Sequence, residues 1–192
     1  QELNLYTTRE PGLIEPLLAS FKETTGIAVN TVFLKDGLAE RVANEGASSP
    51  ADVLMTVDAG NLIDLVEKGL TQPVDSAMLM DAIPEALRDA DGHWFALSSR
   101  ARVVYAAKDL DLASITYEDL ADPKWKGKIC IRAGQHPYNT ALIADHIAHH
   151  GVAETEAWLA GVKANLARKA AGGDRDGAKD ILGGICDIAV AN

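Results

Sequence analysis

The sequence predicts an α/β chain of two lobes, each built around its own sheet. Strand-like and helix-like segments alternate from the first residues, and glycines and prolines stand where helices should stop and start. The rhythm then breaks around Ser98-Ser-Arg-Ala and resumes beyond it. The boundary accordingly falls at residue 98, with 1–98 as a first α/β lobe and 99–192 as a second.

Leu3-Asn-Leu-Tyr-Thr alternates as a strand. A helical face of Leu13, Ile14, Leu17, Leu18 and Phe21 follows, with Pro11 and Pro16 suited to its start and Gly26 to its stop. Ile27 to Leu34 is the next strand, Leu38 to Asn44 a short helix closed by Gly46, Val53 to Val57 an apolar strand, and Leu62 to Val66 lie on a helix ending at Gly69. This β-α-β-α-β-α order implies a parallel sheet covered by helices on both faces, which takes ligands beyond the carboxyl ends of its strands. Past Gln72-Pro73 come extended stretches His93 to Leu97 and Arg102 to Ala106. The second lobe reads as helix Tyr117 to Leu120, turn Asp122-Pro-Lys-Trp-Lys-Gly, strand Lys128 to Arg132 and loop Ala133 to Tyr138. Helices Asn139 to His150 and Glu154 to Ala167, a glycine-rich loop at Gly172-Gly-Asp-Arg-Asp-Gly, helix Ala178 to Leu182 and strand Ile185 to Val190 complete it. Asn192 directly follows a buried strand, so a chain truncated before its natural end is expected.

Composition narrows the function classes. The 192 residues are 47% hydrophobic and 24% charged, enough for a core and unlike a disordered tail. Eighteen Lys and Arg against 28 Asp and Glu leave a net charge of −10 and a pI near 4.9, a surface that repels nucleic acid and anionic membranes. No run approaches the roughly 18 apolar residues that a membrane span needs. A mature secreted protein lacks its leader too, so the missing leader assigns no compartment. Cys130 and Cys186 each sit in an apolar, strand-like segment. They read either as small buried hydrophobes in a reducing cytoplasm or as a disulfide closing about 57 residues and contributing roughly 4 kcal/mol.

The loop Gly134-Gln-His-Pro-Tyr138 joins a strand end to a helix start, where free amides and the helix dipole favour an anion, and it carries Tyr138. Arg9 occupies the matching loop of the first lobe, and Asp58 follows the strand at Val53 to Val57, where it also suits a helix N-cap. His146 and His150 have zinc-chelating spacing, but Ile147 stands where a zinc protease needs its glutamate and no third ligand is evident, so they read as a solvated helix face. Asp174-Arg-Asp176-Gly lacks the remaining acidic positions of a calcium loop and reads as a surface turn. No phosphate loop, nucleophile elbow or cysteine ribbon appears, and no residue is assigned a catalytic role.

Taken together, Leu5-Tyr-Thr-Thr-Arg9, Glu45-Gly-Ala-Ser-Ser-Pro-Ala-Asp52, Trp94-Phe-Ala-Leu-Ser-Ser-Arg-Ala-Arg102, Leu120-Ala-Asp-Pro-Lys-Trp-Lys-Gly-Lys128, His136-Pro-Tyr138-Asn and Ile185-Cys-Asp-Ile-Ala-Val-Ala-Asn192 run in family order. In these segments the chain resembles the ferric-iron-binding proteins that deliver iron to ABC importers in the bacterial periplasm. The resemblance implies a two-lobed, type II periplasmic-binding-protein-like fold, truncated before its return to the first lobe. It implies Fe(III) held in the cleft between the lobes with a synergistic anion such as carbonate, and cargo handed to a permease in the inner membrane by a monomer. Tyr138 falls where the family's loop tyrosine ligates iron, and Arg100 where an arginine supports the anion or the phenolates. Arg9 and Asp58 fall at polar positions lining the same cleft, and Cys130 and Cys186, in an oxidising periplasm, are expected to be bridged. The family continues past the position of Asn192 with two adjacent tyrosine ligands. Glu10-Pro11 stands where some relatives place a histidine or a further tyrosine, and Val57 where another branch has a glutamate.

The chemistry agrees: Fe³⁺ is hard, prefers anionic oxygen and deprotonates a phenol on binding, whereas soft metals would want sulfur. The nearest alternative is the same receptor carrying an oxyanion or small organic anion. A more distant one is an α/β hydrolase or transferase using His136 or His93 as base, which fold alone does not reject.

Overall fold

The computed structural model describes residues 1–192, which divide into two compact units, Gln1–Ser98 and Ser99–Asn192. In the first unit the elements run β1 (Glu2–Thr7), α1 (Pro11–Thr25), β2 (Ala28–Phe33), α2 (Leu38–Glu45), β3 (Val53–Met55), α3 (Ala59–Glu67) and α4 (Ala77–Ala82). The sheet order is β2-β1-β3, with both pairings parallel. A central strand covered on both faces needs no polar alternation, and Leu5, Tyr6 and Thr7 are all buried. Tyr6 joins Leu38, Ala39, Val42 and Leu65 in the core. Its hydroxyl donates to Glu45 Oε1 (3.1 Å), and Arg41 pairs with the same oxygen at 2.9 Å.

Helix α1 takes Pro11 in its first turn and closes at Gly26, whose φ of 74° only glycine adopts without strain. Of the two prolines suited to its start, Pro11 takes that place, while the helix runs through Pro16 and forfeits one backbone bond there. Of its apolar stripe only Ile14 is buried, while Leu13, Leu17 and Phe21 stay exposed.

In the second unit the elements run β4 (Val103–Ala106), β5 (Ile129–Cys130), α5 (Pro137–His150), α6 (Val152–Ala164), α7 (Asp174–Leu182) and β6 (Ile188–Ala191), and the three strands form a mixed sheet of order β4-β6-β5. Strand β6 is parallel to β5 and antiparallel to β4, and every residue of it is buried. The core gathers Leu120, Trp125, Ile129, Trp158, Val162, Ile188 and Val190. Cys130 and Cys186, both buried, are joined by a disulfide that ties the end of β5 to the segment entering β6. The bridge settles the two readings that the cysteines themselves left open.

Several elements differ from the sequence reading. Strand β3 ends at Met55 rather than Val57, β5 keeps only Ile129–Cys130 of the expected Lys128 to Arg132, and β6 begins at Ile188 rather than Ile185. The stretch His93 to Leu97 forms only an isolated bridge, Phe95 with Arg88, and α4 was not expected. Tyr117 to Leu120 is not an α-helix; a 3₁₀ turn spans Glu118–Ala121, and Pro123 prevents its extension. Helix α6 packs on that turn through Gly161, where a Cβ would lie 2.7 Å from Ala121 Cβ. It stops at Ala164 because buried Asn165 turns its amide to Leu120 O (2.9 Å) and Asp122 O (2.8 Å). Helix α7 begins at Asp174 rather than Ala178, since Asp176 accepts from Gly173 N (2.8 Å) and two acids in the first turn interact favourably with the positive end of the helix dipole. No helix is long and apolar enough to cross a membrane.

Candidate functional site

Strand β5 ends at Cys130, and the chain turns through residues 131–136 into α5. His136 caps that helix by accepting from Tyr138 N (3.2 Å), Pro137 supplies the preset φ of the first turn, and Tyr138 follows. Asn139 is buried, and its amide nitrogen donates to Arg132 O (3.1 Å) and Ala133 O (3.2 Å). The loop is thereby fixed to the helix it precedes, and the half-buried Tyr138 ring packs edge-on against His136.

Three guanidiniums surround Tyr138. Arg100 and Arg132 each lie 5.0 Å from the ring centroid and Arg102 5.9 Å, within cation–π range. Arg100 Nη2 also donates to the phenol oxygen at 2.7 Å. The three differ in constraint. Arg100 is exposed. Arg102 has a side chain only 9% accessible, donates to Asn139 Oδ1 (2.7 and 3.1 Å) and to Asn192 Oδ1 (2.9 Å), and pairs with Asp174 at 3.2 Å. Arg132 pairs with the other oxygen of Asp174 at 3.3 Å, and its Nε is buried without a partner. Tyr117 donates its hydroxyl to Arg102 O, and burial pushes this phenol above its ordinary range, so it remains a donor.

Asp174 is the residue that sequence reasoning missed. It is not part of a surface turn: its carboxylate bridges Arg102 and Arg132 and accepts from Asn192 N (3.1 Å). The one available signal was a pair of acids opening a helix after two glycines. Three cations against one carboxylate leave local positive charge on a protein of net charge −10, and that excess suits an anion beside the phenol oxygen.

Arg9 and Asp58 lie in the first unit, at the carboxyl ends of the adjacent strands β1 and β3. The two loops are joined there, Thr8 N donating to Met55 O (3.0 Å) and Val57 N to Thr8 Oγ1 (3.2 Å). Arg9 is half-buried, and its backbone N donates to Thr7 Oγ1 (2.9 Å). Asp58 caps α3, one oxygen accepting from Asn61 N (2.9 Å) and the other from Asn61 Nδ2 (2.6 Å). His93 contacts Thr71 Oγ1 (2.9 Å), and the Nδ1 of His136 is engaged in its cap. The expected solvated face at His146 and His150 also needs correction: His146 is buried and stacked on Trp158, because α6 packs across that face of α5.

Comparison with known proteins adds an independent line. The family described as bacterial extracellular solute-binding protein matches residues 48–184. Iron uptake protein A1 of Synechocystis is 43% identical over 197 residues, covering 100% of this chain and 54% of its own. A solved Bordetella ferric binding protein is 68% identical with a TM-score of 0.88, covering the whole of this chain and 61% of its own. A Trichodesmium protein solved in complex with iron and citrate ligands is 44% identical at TM-score 0.88, with coverage of 100% and 62%. The chain thus spans about half the length of the curated relatives it matches.

Proposed function

Because this chain belongs to the bacterial extracellular solute-binding protein family, we propose that the protein is a periplasmic receptor for ferric iron, taken up with a synergistic anion and passed to an ABC importer. It works as a monomer, catalyses no reaction and delivers its cargo to a permease of the inner membrane. Tyr138 contributes one phenolate oxygen to the iron. Arg100, the exposed guanidinium already on that oxygen, shifts to hold the anion once metal replaces it. Arg102 and Arg132, fixed by Asp174, supply the standing positive field that draws the anion in. Arg9 and Asp58 are assigned to anion binding or to support of the ligands.

The observation that carries the reading is a phenol oxygen set in an arginine cluster whose rigid members share one carboxylate. The names of the similar proteins point the same way, and one of them was solved with iron and citrate. One phenolate does not neutralise a triply charged ion, so further anionic oxygens are needed, and a carbonate or carboxylate ligand is the natural complement of the arginines. A second reading keeps the receptor and makes an oxyanion or small organic anion its cargo. It is favoured by the unpartnered Nε of Arg132 and the excess of guanidiniums.

Ferric salt added with either carbonate or citrate separates the two. Iron carriage gives a visible phenolate-to-iron charge-transfer band whose strength depends on the anion, and Arg100→Ala weakens that dependence. An anion that binds equally well with and without iron, and no visible band, supports the second reading instead.

A further inference from the structure

The geometry points to a second metal site in the Ser99–Asn192 unit, separate from Tyr138, in which Glu118, His146 and His150 bind a late first-row divalent cation of the zinc type. One donor atom from each of the three lies within 4.8 Å of the others. His150 Nε2 already sits 3.2 Å from Glu118 Oε1. The three line an open pocket together with Tyr117, Asp145 and His149.

The decisive detail is the tautomer of His146. Thr155 donates its single hydroxyl hydrogen to Gly151 O (2.8 Å), so toward His146 Nδ1, at 2.9 Å, its oxygen can only accept. Nδ1 therefore carries a ring hydrogen, and in the neutral ring Nε2 presents a bare lone pair. That Nε2 is buried and has no hydrogen-bond partner, on a residue only 7% accessible. A buried acceptor left unpaired is costly, and a metal ion would satisfy it. An imidazole oriented through its other nitrogen is the arrangement metal-ligating histidines use.

The rest of the surroundings hold the donor in place. His146 stacks on Trp158 at 4.4 Å, and Trp158 Nε1 donates to Tyr117 O (2.7 Å), next to Glu118. A tetrahedral ion with bonds near 2.0–2.1 Å wants its donors roughly 3.4 Å apart, a short closure from the observed spread that exposed Glu118 and His150 are free to make. The two imidazoles are borderline donors that favour Zn²⁺, Ni²⁺ or Cu²⁺, and two of them with one carboxylate is a known donor set for zinc, unlike the all-oxygen set that suits hard Fe³⁺. Three protein ligands leave a coordination position for water.

Isothermal titration with zinc chloride tests the site, alongside ¹⁵N spectra of the histidine rings. The protein is expected to take one Zn²⁺ here and to shift the His146 Nε2 resonance. His150→Ala and Glu118→Gln, both at exposed positions, should each weaken that binding at least about tenfold, the loss typical even for removing an orienting partner. Tyr138→Phe should leave it unchanged. Absence of zinc uptake, zinc affinity unaltered in His150→Ala, or binding lost with Tyr138→Phe would each overturn the proposal.

Discussion

Replacing Asp174 by alanine should markedly destabilise the second unit. The carboxylate accepts from Arg102 Nη1 (3.2 Å) and Asn192 N (3.1 Å) and pairs with Arg132 Nη1 (3.3 Å), and the three side chains are 9, 14 and 15% accessible for Arg102, Arg132 and Asp174. Removing one partner of a buried pair leaves uncompensated charge and typically costs about 3–5 kcal/mol. Arg102 keeps Asn139 and Asn192 as acceptors, which places the expected loss near the lower end, about 3 kcal/mol. Asp174→Asn retains one acceptor oxygen without the charge and should lose roughly half as much. Urea unfolding followed by tryptophan fluorescence in a Trp94→Phe background reports this unit, since the remaining indoles, Trp125 and Trp158, both lie in its core. A midpoint for Asp174→Ala corresponding to less than about 1 kcal/mol of loss would refute the reasoning and mark the pair as a solvated surface interaction.

Non-reducing mass spectrometry should find Cys130 and Cys186 bridged, and replacing both by alanine should cost about 4 kcal/mol on the loop-entropy model, read as a lower urea midpoint. Gly161→Ala should lower stability by about 1–3 kcal/mol, because the added methyl meets Ala121 Cβ at 2.7 Å and its backbone oxygen at 3.0 Å; a neutral result would mean that α6 can slide away from the 3₁₀ turn. Glu45 is held below its ordinary carboxyl range by Arg41 first and then by Ser49, so its contribution is full above the unfolded value near 4.5 and is lost as pH falls through the lower folded value. The difference in melting temperature between the protein and Glu45→Gln should accordingly be present at neutral pH and vanish in acid.

What the sequence made legible follows the range of the interactions involved. The strands and helices of the first unit are marked by local periodicity and by glycines at helix ends, so its parallel β-α order could be read directly. The strand-to-helix loop before Tyr138 was visible for the same reason. Asp174 was not, because Gly172-Gly-Asp-Arg-Asp-Gly has loop composition, and what buries the carboxylate is a pair of arginines more than 40 residues upstream. His146 was misread because helical spacing alone placed it with His150, whereas Thr155 and Trp158 on the next helix and Glu118 on a distant turn decide its environment. Among the arginines, the resemblance singled out Arg100, while Arg102, the most heavily bonded, declares itself only through contacts with Asn139, Asp174 and Asn192.

Ferric iron binding by the intact protein, compared with its Tyr138→Phe variant, tests the central claim most directly. Phenylalanine keeps the ring against His136 and the three guanidiniums and deletes only the oxygen that Arg100 contacts at 2.7 Å. The account predicts a native-like fold by circular dichroism, a weakened charge-transfer band and a loss of iron affinity of at least about tenfold, which is about 1.4 kcal/mol. Unchanged affinity and an unchanged spectrum in the variant would remove Tyr138 from the metal and contradict the account.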